Sequence, residues 1–470
     1  MPALTDPRAG LGWSYDKGPF GELRNIRPVW TAELDTTTIV NIVRQTLRIP
    51  KHSPCMVERL AQGAFNTTYT VRYGGKDIIV RIILPVHPHL KLLSERATIE
   101  YVRQHTDIPA PKVLQYNAML DGYQHVLEHE IAYEWMIMEK VAGTTVLEQW
   151  PDMSWLKKEL IVRKVVAYLA QLFRRRFDQL GSVYASKDLE HMSAANDMPK
   201  YLEHMSADDT DAPDAVPLGA EHSTDTTAFS LGEIVSIPFF YHDHWRVHVP
   251  RGPYKHSRDW LAALLQLAMY DADNMSNFRD SDVPEDEDSD EDPDSVEATK
   301  SRIRRLYQVM PRIFPVEEQT EEFVLHHQHL TEDNLMVDAN HDLSGILGWE
   351  CTHTLPLWLA CQIPPFLRGP DRDEPPSFVA EFKNAAQEDV YYDHMDHFEK
   401  TALREFFIAE MKRVCPEWVQ VHVDSDMKAD FEFAIGMCTR SGYGEDVDAW
   451  LDSVENGDEP EPLRAMLGQC

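Results

Sequence analysis

The stretch from 325 to 350 constrains the fold of this chain more than any other part of the sequence. An apolar run at 335–337 follows Asn334, a polar turn occupies 338–342, and a second apolar run returns at 346–347. Two apolar runs separated by a short segment rich in Asp and Asn predict a β-hairpin. The hairpin would carry polar groups on both its leading and its trailing edge.

The order of these residues resembles the catalytic and metal-binding loops of the aminoglycoside phosphotransferase family, whose members share the protein-kinase-like fold. That family reads H-x-D-x-x-x-x-N, then a hairpin, then an apolar pair and an Asp. In this chain Asn334 is present, but His329 stands at the catalytic Asp position and Gly348 at the metal-binding Asp position. The resemblance implies ATP-dependent O-phosphotransfer to a small hydroxylated molecule, with two of the required acids missing.

The missing acids matter because phosphoryl transfer depends on positioning and on charge neutralisation. A general base typically contributes about a hundred- to ten-thousand-fold in rate, and the metal stabilises the developing charge. The sequence therefore predicts an impaired, pseudokinase-like protein in which binding of ATP and Mg²⁺ is weakened or lost. The alternative is an active small-molecule kinase that uses the neutral imidazole of His329 as base and Asn334 or Glu350 as metal ligand.

The segment from 56 to 83 predicts a small antiparallel sheet, because apolar residues alternate with polar ones on either side of turns containing glycine. Its first turn resembles the nucleotide-binding loop of the same family, in which backbone N–H groups beside a glycine approach phosphates. The resemblance implies nucleotide contacts from Gly63, Phe65 and Asn66, and from Arg81, which stands where kinases place a strand lysine.

Two further parts of a nucleotide site follow from the resemblance. The helix predicted from 94 to 105 offers Glu95 as the acid that pairs with the strand cation, with Glu100 as the competing candidate. The apolar strand that ends near 141 resembles the hinge between the lobes of a kinase. Backbone groups near Met138, Glu139 and Val141 would then bind the adenine.

The predicted fold class is α+β, bilobal and protein-kinase-like. It has an N-terminal arm and helix over 1–49, an N-lobe with an antiparallel sheet plus a helix over 50–141, and a mainly helical C-lobe over 142–470. Dense acidic charge at 280–297 predicts a disordered insert within the C-lobe. A non-catalytic scaffold that binds a protein partner through this insert is a third alternative.

The acidic balance of the chain limits its partners. A formal net charge of −33 repels phosphate backbones and anionic membranes, so neither nucleic acid nor a membrane is expected. A small hydroxylated or cationic molecule is the expected ligand. The six cysteines are scattered without a C-x-x-C pair, which predicts reduced thiols and a cytoplasmic protein.

Overall fold

The structure of the protein is a computed structural model. It describes these parts of the chain: 8–17, 23–31, 34–118, 133–197, 227–274, 295–315, 320–377, 388–440 and 442–467.

The N-terminal segment, expected as an arm, contains an antiparallel pair of strands followed by a helix. Their bounds are Leu11–Lys17 (β1), Leu23–Trp30 (β2) and Thr36–Thr46 (α1). Asp35 caps α1 by accepting a hydrogen bond from the Thr37 backbone N–H at 2.9 Å. The ring of Trp13 lies 5.7 Å from that of Tyr241, and the ring of Trp30 lies 4.9 Å from that of Tyr133. The paired strands therefore contact both the C-lobe and the N-lobe.

The predicted N-lobe sheet is present and has five strands in the order β3-β4-β5-β7-β6, all antiparallel. Its elements are Cys55–Gln62 (β3), Asn66–Tyr73 (β4), Lys76–Ile83 (β5), Leu90–His105 (α2), Val113–Asn117 (β6) and Trp135–Glu139 (β7). The turn between β4 and β5 is Gly74-Gly75, with φ of +53° and +75°. Positive φ at both central residues suits a tight hairpin turn, as the glycine pair predicts.

Side chains of β5 alternate between two cores, as the period of a strand requires. Ile78, Val80 and Ile82 pack in the cluster beneath α1. Ile79 and Ile83 pack in the large cluster that includes α2 and continues into the C-lobe. The residue between those two on the same face is position 81, so the alternation sends the side chain of that residue toward the cleft between the lobes.

The C-lobe holds two small three-stranded sheets that flank the cleft, in the orders β14-β13-β8 and β15-β12-β9. A further pair, β10-β11, lies beside α2. The strands are Thr144–Thr145 (β8), Arg176–Phe177 (β9), Ser182–Ala185 (β10), Phe229–Gly232 (β11), Phe323–His326 (β12), Leu335–Val337 (β13), Leu343–Ile346 (β14) and His353–Pro356 (β15). The hairpin predicted from the sequence is β13 and β14.

Helices make up most of the remaining C-lobe. They are Val146–Gln149 (α3), Trp155–Phe173 (α4), Ser186–Asp197 (α5), Ile237–Phe240 (α6), Ser257–Asn274 (α7), Val296–Ile313 (α8), Leu357–Ala360 (α9), Glu388–Val414 (α10), Pro416–Val423 (α11), Asp426–Met437 (α12), Gly444–Asn456 (α13) and Leu463–Met466 (α14). The predicted fold class, a small N-lobe sheet with a helix and a mainly helical C-lobe, is confirmed.

The predicted acidic insert, 280–297, falls mostly outside the described residues. Its last three residues are described, and the prediction of disorder is wrong for them. Ser295 caps α8, because its hydroxyl accepts a hydrogen bond from the Ala298 backbone N–H at 3.2 Å. No helix among the described residues is both long enough and apolar enough to cross a bilayer.

Candidate active site

Arg81 lies at the centre of the cleft, where the alternation along β5 places it. Its guanidinium donates to the carboxylate of Glu95 on α2, and it contacts Oε2 of Glu350 at 3.0 Å. The side chain of Glu95 is fully buried, and that of Arg81 is 12% exposed. The structure therefore brings the predicted Arg81 and Glu95 together. Glu100 instead pairs with Arg96 at 3.1 Å.

Lys91 is a cation in the cleft that the sequence analysis did not single out. It lies in the first turn of α2, and its Nζ is 2.7 Å from Oε2 of Glu350. Its side chain is fully buried, and its ammonium lies 5.6 Å from the ring centroid of Phe65. The available signal was a lysine set between Leu90 and Leu92 in an apolar run, where a charge requires a partner.

The turn between β3 and β4 also faces Glu350. The side-chain amide of Asn66 donates to the two carboxylate oxygens of Glu350 at 3.2 and 3.4 Å. Gly63 donates its backbone N–H to the Asn66 carbonyl at 2.9 Å, which closes the turn. Phe65 is buried, and its ring packs edge-on against Phe240 at 5.4 Å. Three N-lobe donors thus converge on one C-lobe carboxylate.

The pKa of Glu350 reflects these neighbours. Burial by itself would raise the pKa of this carboxyl, but the charges of Lys91 and Arg81 outweigh burial and lower the pKa to about 2. Glu350 is therefore ionised at neutral pH. Two cations and the two carboxylates of Glu95 and Glu350 leave the cluster with no net charge.

The segment predicted as the hinge contacts both lobes. The N–H of Glu139 donates to the Lys112 carbonyl at 2.9 Å, and its carboxylate accepts from the Lys112 N–H at 2.8 Å. Met138 is buried in the large core cluster. Val141 lies against Gly345 of β14, where an added Cβ would come within 2.5 Å of its methyl carbon. Adenine binding by Met138, Glu139 and Val141 stays a prediction.

The loop 327–334, predicted as the catalytic loop, is held by hydrogen bonds within itself and to the segment that precedes Gly348. The side-chain amide of Asn334 donates to the His329 carbonyl at 2.8 Å and contacts the Thr331 hydroxyl at 3.3 Å. Burial lowers the pKa of His327 to about 4, so its neutral ring donates from Nε2 to the Leu347 carbonyl at 2.7 Å. The loop is thus fixed to the strand that leads into Gly348.

Gly348 leaves no room for the acid that the family pattern places there. Its φ is +76°, a conformation that favours glycine, and a Cβ added to it would lie 2.7 Å from the side-chain amide of Asn334. The Asn334 amide therefore occupies the space into which a side chain at position 348 would begin.

The residues at this position do not fit a Mg²⁺ site. Mg²⁺ requires oxygen ligands in octahedral geometry, usually with one or two carboxylates. The carboxylate of Glu350 is already bound by two cations and an amide, and the amide nitrogen of Asn334 donates to the loop backbone, so Asn334 offers Mg²⁺ only its one amide oxygen. No group of three His, Cys, Asp or Glu residues within the described ranges is placed to hold a metal ion.

A cavity of about 830 Å³ opens in the C-lobe next to the catalytic loop. His326 and Gln328, which directly precede His329, line one wall of the cavity, and apolar and aromatic side chains such as Trp260 and Phe433 line others. This volume is in the range typical of small-molecule sites in proteins. The sequence analysis did not predict the cavity, because its walls come from segments far apart in the chain.

The charged groups around the cavity are largely balanced. Arg404 pairs with Asp371 at 2.5 Å, and Arg464 pairs with Asp430 at 2.7 Å. Burial lowers the pKa of His326 to about 3, so its ring is neutral. Burial raises the pKa of Glu432 to about 7, and the charges of Arg464 and Arg368 offset the effect of burial only in part. The cavity is therefore polar in places but carries little net charge.

The sequence matches to curated proteins cover less than a third of this chain, whereas the matches to solved structures cover about nine tenths of it. A stretch of 137 residues is 28% identical to a subtelomeric hrmA-associated cluster protein of Aspergillus fumigatus, and covers 28% of this chain and 26% of that protein. Another of 154 residues is 24% identical to the altered inheritance of mitochondria protein 9 of Candida dubliniensis, and covers 30% of this chain and 23% of that protein. The matched part thus spans about a quarter of the length of these relatives.

Among solved structures, a putative aminoglycoside phosphotransferase from Ralstonia eutropha is 14% identical, with a TM-score of 0.41 and coverage of 92% of this chain and 94% of that one. A thermostable mutant of aminoglycoside phosphotransferase APH(4)-Ia is 12% identical, with a TM-score of 0.38 and coverage of 89% and 92%. The family assignment rests on the sequence model of the phosphotransferase enzyme family (APH), which matches residues 57–359. The chain belongs to this phosphotransferase family.

Proposed function

We propose that this protein is a family member that binds a small molecule and transfers phosphate from ATP slowly or not at all. The observation that supports the proposal most strongly is the pair formed by Gly348 and Asn334. The Asn334 amide fills the position from which a metal-binding side chain would extend. Glu350, the nearest carboxylate after Gly348, is neutralised by Lys91 and Arg81.

Two requirements of phosphoryl transfer are therefore hard for this cleft to meet. The reaction needs a group that receives or orients the proton of the attacking hydroxyl, and it needs positive charge aligned with the phosphate oxygens. The imidazole of His329 retains some capacity for the first task. For the second, the cations present already hold carboxylates as partners, so they offer little positive potential to a triphosphate.

The test is turnover. Purified protein is incubated with ATP, Mg²⁺ and a panel of hydroxylated acceptors, and ADP formation and acceptor phosphorylation are both measured. We expect turnover far below about one per second, the lower end of the usual kinase range. Turnover at or above that rate, lost in His329→Ala, would contradict the proposal and support an active kinase with His329 as base.

The cavity supports the small-molecule part of the proposal. Paired arginines, a neutral His326 and a Glu432 that is only about half ionised at neutral pH suit a hydroxylated ligand better than a polycation. We therefore expect inositol-like polyols or phenolic alcohols, but not spermine, to raise the melting temperature. Ala409→Trp, placed at the exposed rim, should abolish the shift. A shift with spermine alone, or one that survives Ala409→Trp, would contradict binding in this cavity.

A further inference from the structure

Glu350 presents an anion to a set of donors that belongs to the other lobe. Its Oε2 lies 2.7 Å from Nζ of Lys91 and 3.0 Å from a guanidinium nitrogen of Arg81, while the Asn66 amide donates to both of its oxygens. Two cations and an amide converging on one anion form the arrangement that proteins use to bind phosphate groups. In this cleft the chain supplies the anion itself.

The charges of the cluster explain why a second anion is excluded while Glu350 is in place. Lys91 is fully buried and Arg81 is 12% exposed, so water screens neither charge effectively. Glu95 and Glu350 already balance both cations. An external anion would add uncompensated negative charge to a buried site, which is strongly unfavourable.

The donors and the carboxylate of the cluster belong to different lobes, so the contacts between them depend on how the two lobes are arranged. Lys91, Arg81 and Asn66 all belong to the N-lobe, whereas Glu350 follows β14 of the C-lobe. Any separation of the lobes withdraws the carboxylate from all three donors together. The same movement exposes the donors to solvent and to a competing anion.

Family membership implies that Arg81 and Asn66 face the phosphates of a nucleotide; we propose that Glu350 occupies this place as an internal counter-ion held by Lys91, Arg81 and Asn66, so that a diphosphate and the carboxylate exclude each other. The ligand class is a diphosphate group, either free or within a nucleoside diphosphate, bound without a divalent cation. This inference rests on the proposed function in that it assigns the cleft to a family member whose residues do not fit Mg²⁺.

The experiment measures pyrophosphate binding by isothermal calorimetry in EDTA, with the full chain. Glu350→Gln keeps the shape of the side chain but removes its charge, so Lys91 and Arg81 are left with a single carboxylate. We expect Glu350→Gln to bind pyrophosphate at least tenfold more tightly than the wild type. Equal affinities in the two proteins would overturn the proposal, because they would show that Glu350 does not compete with the anion.

Two matched variants distinguish the position of the removed carboxylate from the change in charge alone. Glu95→Gln makes the same charge change in the same cluster but leaves Glu350 in place, so it should gain less than Glu350→Gln. Glu399→Gln removes the carboxylate partner of another buried lysine, Lys158, at 2.5 Å, and should gain nothing. An equal gain in Glu95→Gln would overturn the masking role, because added positive charge alone would then explain the binding.

Glu350→Gln leaves buried cations short of a partner, so it could prevent folding at ordinary temperature. In that case the same variant is refolded with pyrophosphate or with sodium chloride at matched ionic strength. A ligand that binds only the folded state restores folding in proportion to the logarithm of its concentration. We expect rescue by pyrophosphate and not by chloride, and absence of rescue would overturn the proposal.

A parallel titration with ADP in EDTA identifies the source of the diphosphate. ADP binding tighter than pyrophosphate supports a nucleotide, and equal binding supports a free diphosphate. If neither binds Glu350→Gln, the proposed site is overturned. Turnover of ATP by the wild type with Mg²⁺ contradicts only the proposed function, so the two failures can be told apart.

Discussion

The ion-pair cluster around Glu350 and the cavity beside Gln328 lie on two sides of the same catalytic loop, and they differ in almost every respect. The cluster is closed, and each of its charges has a partner. The cavity is open, and burial outweighs the attraction of Arg464 and Arg368 for the carboxyl of Glu432 on its wall. The contrast is between a cleft whose charges are already paired with one another and a cavity that remains open.

The largest expected effect comes from breaking the ion-pair cluster around Glu350. Lys91→Met leaves the carboxylate of Glu350 short of a partner, and removing one member of a buried pair costs about 3–5 kcal/mol. We expect a loss of that size in the free energy of unfolding measured in urea. Lys157→Met, which breaks the exposed pair with Asp342 at 2.9 Å, should cost less than about 1 kcal/mol.

The double variant Lys91→Met with Glu350→Gln sharpens this result. It removes both members of the pair and leaves Arg81 with Glu95, so no charge remains unbalanced. We expect it to be more stable than Lys91→Met alone, because an unpaired buried charge costs more than an absent pair. A double variant no more stable than the single one would show that Lys91 acts by packing rather than by charge.

The second expected effect concerns the space at Gly348. Gly348→Ala meets the Asn334 amide at 2.7 Å, whereas Gly75→Ala has nearly the same φ, +75° against +76°, and nothing within 4 Å. Both substitutions carry the cost of positive φ, so the difference isolates the contact. We expect Gly348→Ala to be less stable by a further ~1–3 kcal/mol in thermal unfolding. Equal losses would mean that Asn334 moves away freely.

The third expected effect concerns the cavity and is seen in how the free energy of unfolding depends on pH. The pKa of Glu432 is raised to about 7 from the ordinary value of 4.5, so the folded protein binds this proton more tightly than the unfolded chain does. Raising the pH through this interval therefore costs stability. We expect the wild type to lose about 1–2 kcal/mol relative to Glu432→Gln between pH 5 and pH 8.

The control for that pH profile is Glu405→Gln, at an exposed glutamate that lines the same cavity. Its unfolding free energy should follow the wild-type dependence on pH. If Glu432→Gln also follows the wild type, the carboxyl of Glu432 is solvated and the cavity wall is more polar than the structure indicates.

The smallest expected effect is that of filling the cavity. Ala409→Trp adds a large side chain at an exposed rim position, where substitutions usually change stability by less than about 0.5 kcal/mol. Stability should therefore be unchanged while the ligand-induced thermal shift disappears. A clear loss of stability would show that the rim of the cavity is already packed. The contrast between the closed ion-pair cluster and the open cavity would then be smaller.

The features predicted from the sequence are those written in short-range patterns. The glycine pair at 74–75 and the apolar runs around 338–342 predicted the two hairpins, and the resemblance pointed to Arg81. The resemblance led to Asn334 and Glu350 and to the substituted positions 329 and 348. Each of these depends on residues close together in the chain, where period and turn chemistry decide the structure.

The features that were missed depend on contacts between distant residues. Lys91 meets Glu350 across 259 positions, and no local pattern of α2 indicates that partner. Glu350 itself was expected near a metal, but its place is decided by which cations the N-lobe sheet and helix bring to it. The cavity walls come from at least four separate segments, so only the assembled C-lobe reveals the cavity.

The paired strands β1 and β2 have a mechanical consequence for the cleft. Because Trp30 touches Tyr133 beside the N-lobe sheet and Trp13 touches Tyr241 in the C-lobe, this strand pair contacts both lobes. A swing that widens the joint between the lobes must slide or detach one of the two ring pairs, each of which adds about 0.5–1.5 kcal/mol beyond its buried area. The two ring contacts therefore weakly stabilise the present arrangement of the lobes. This stabilisation does not depend on the charge at position 350.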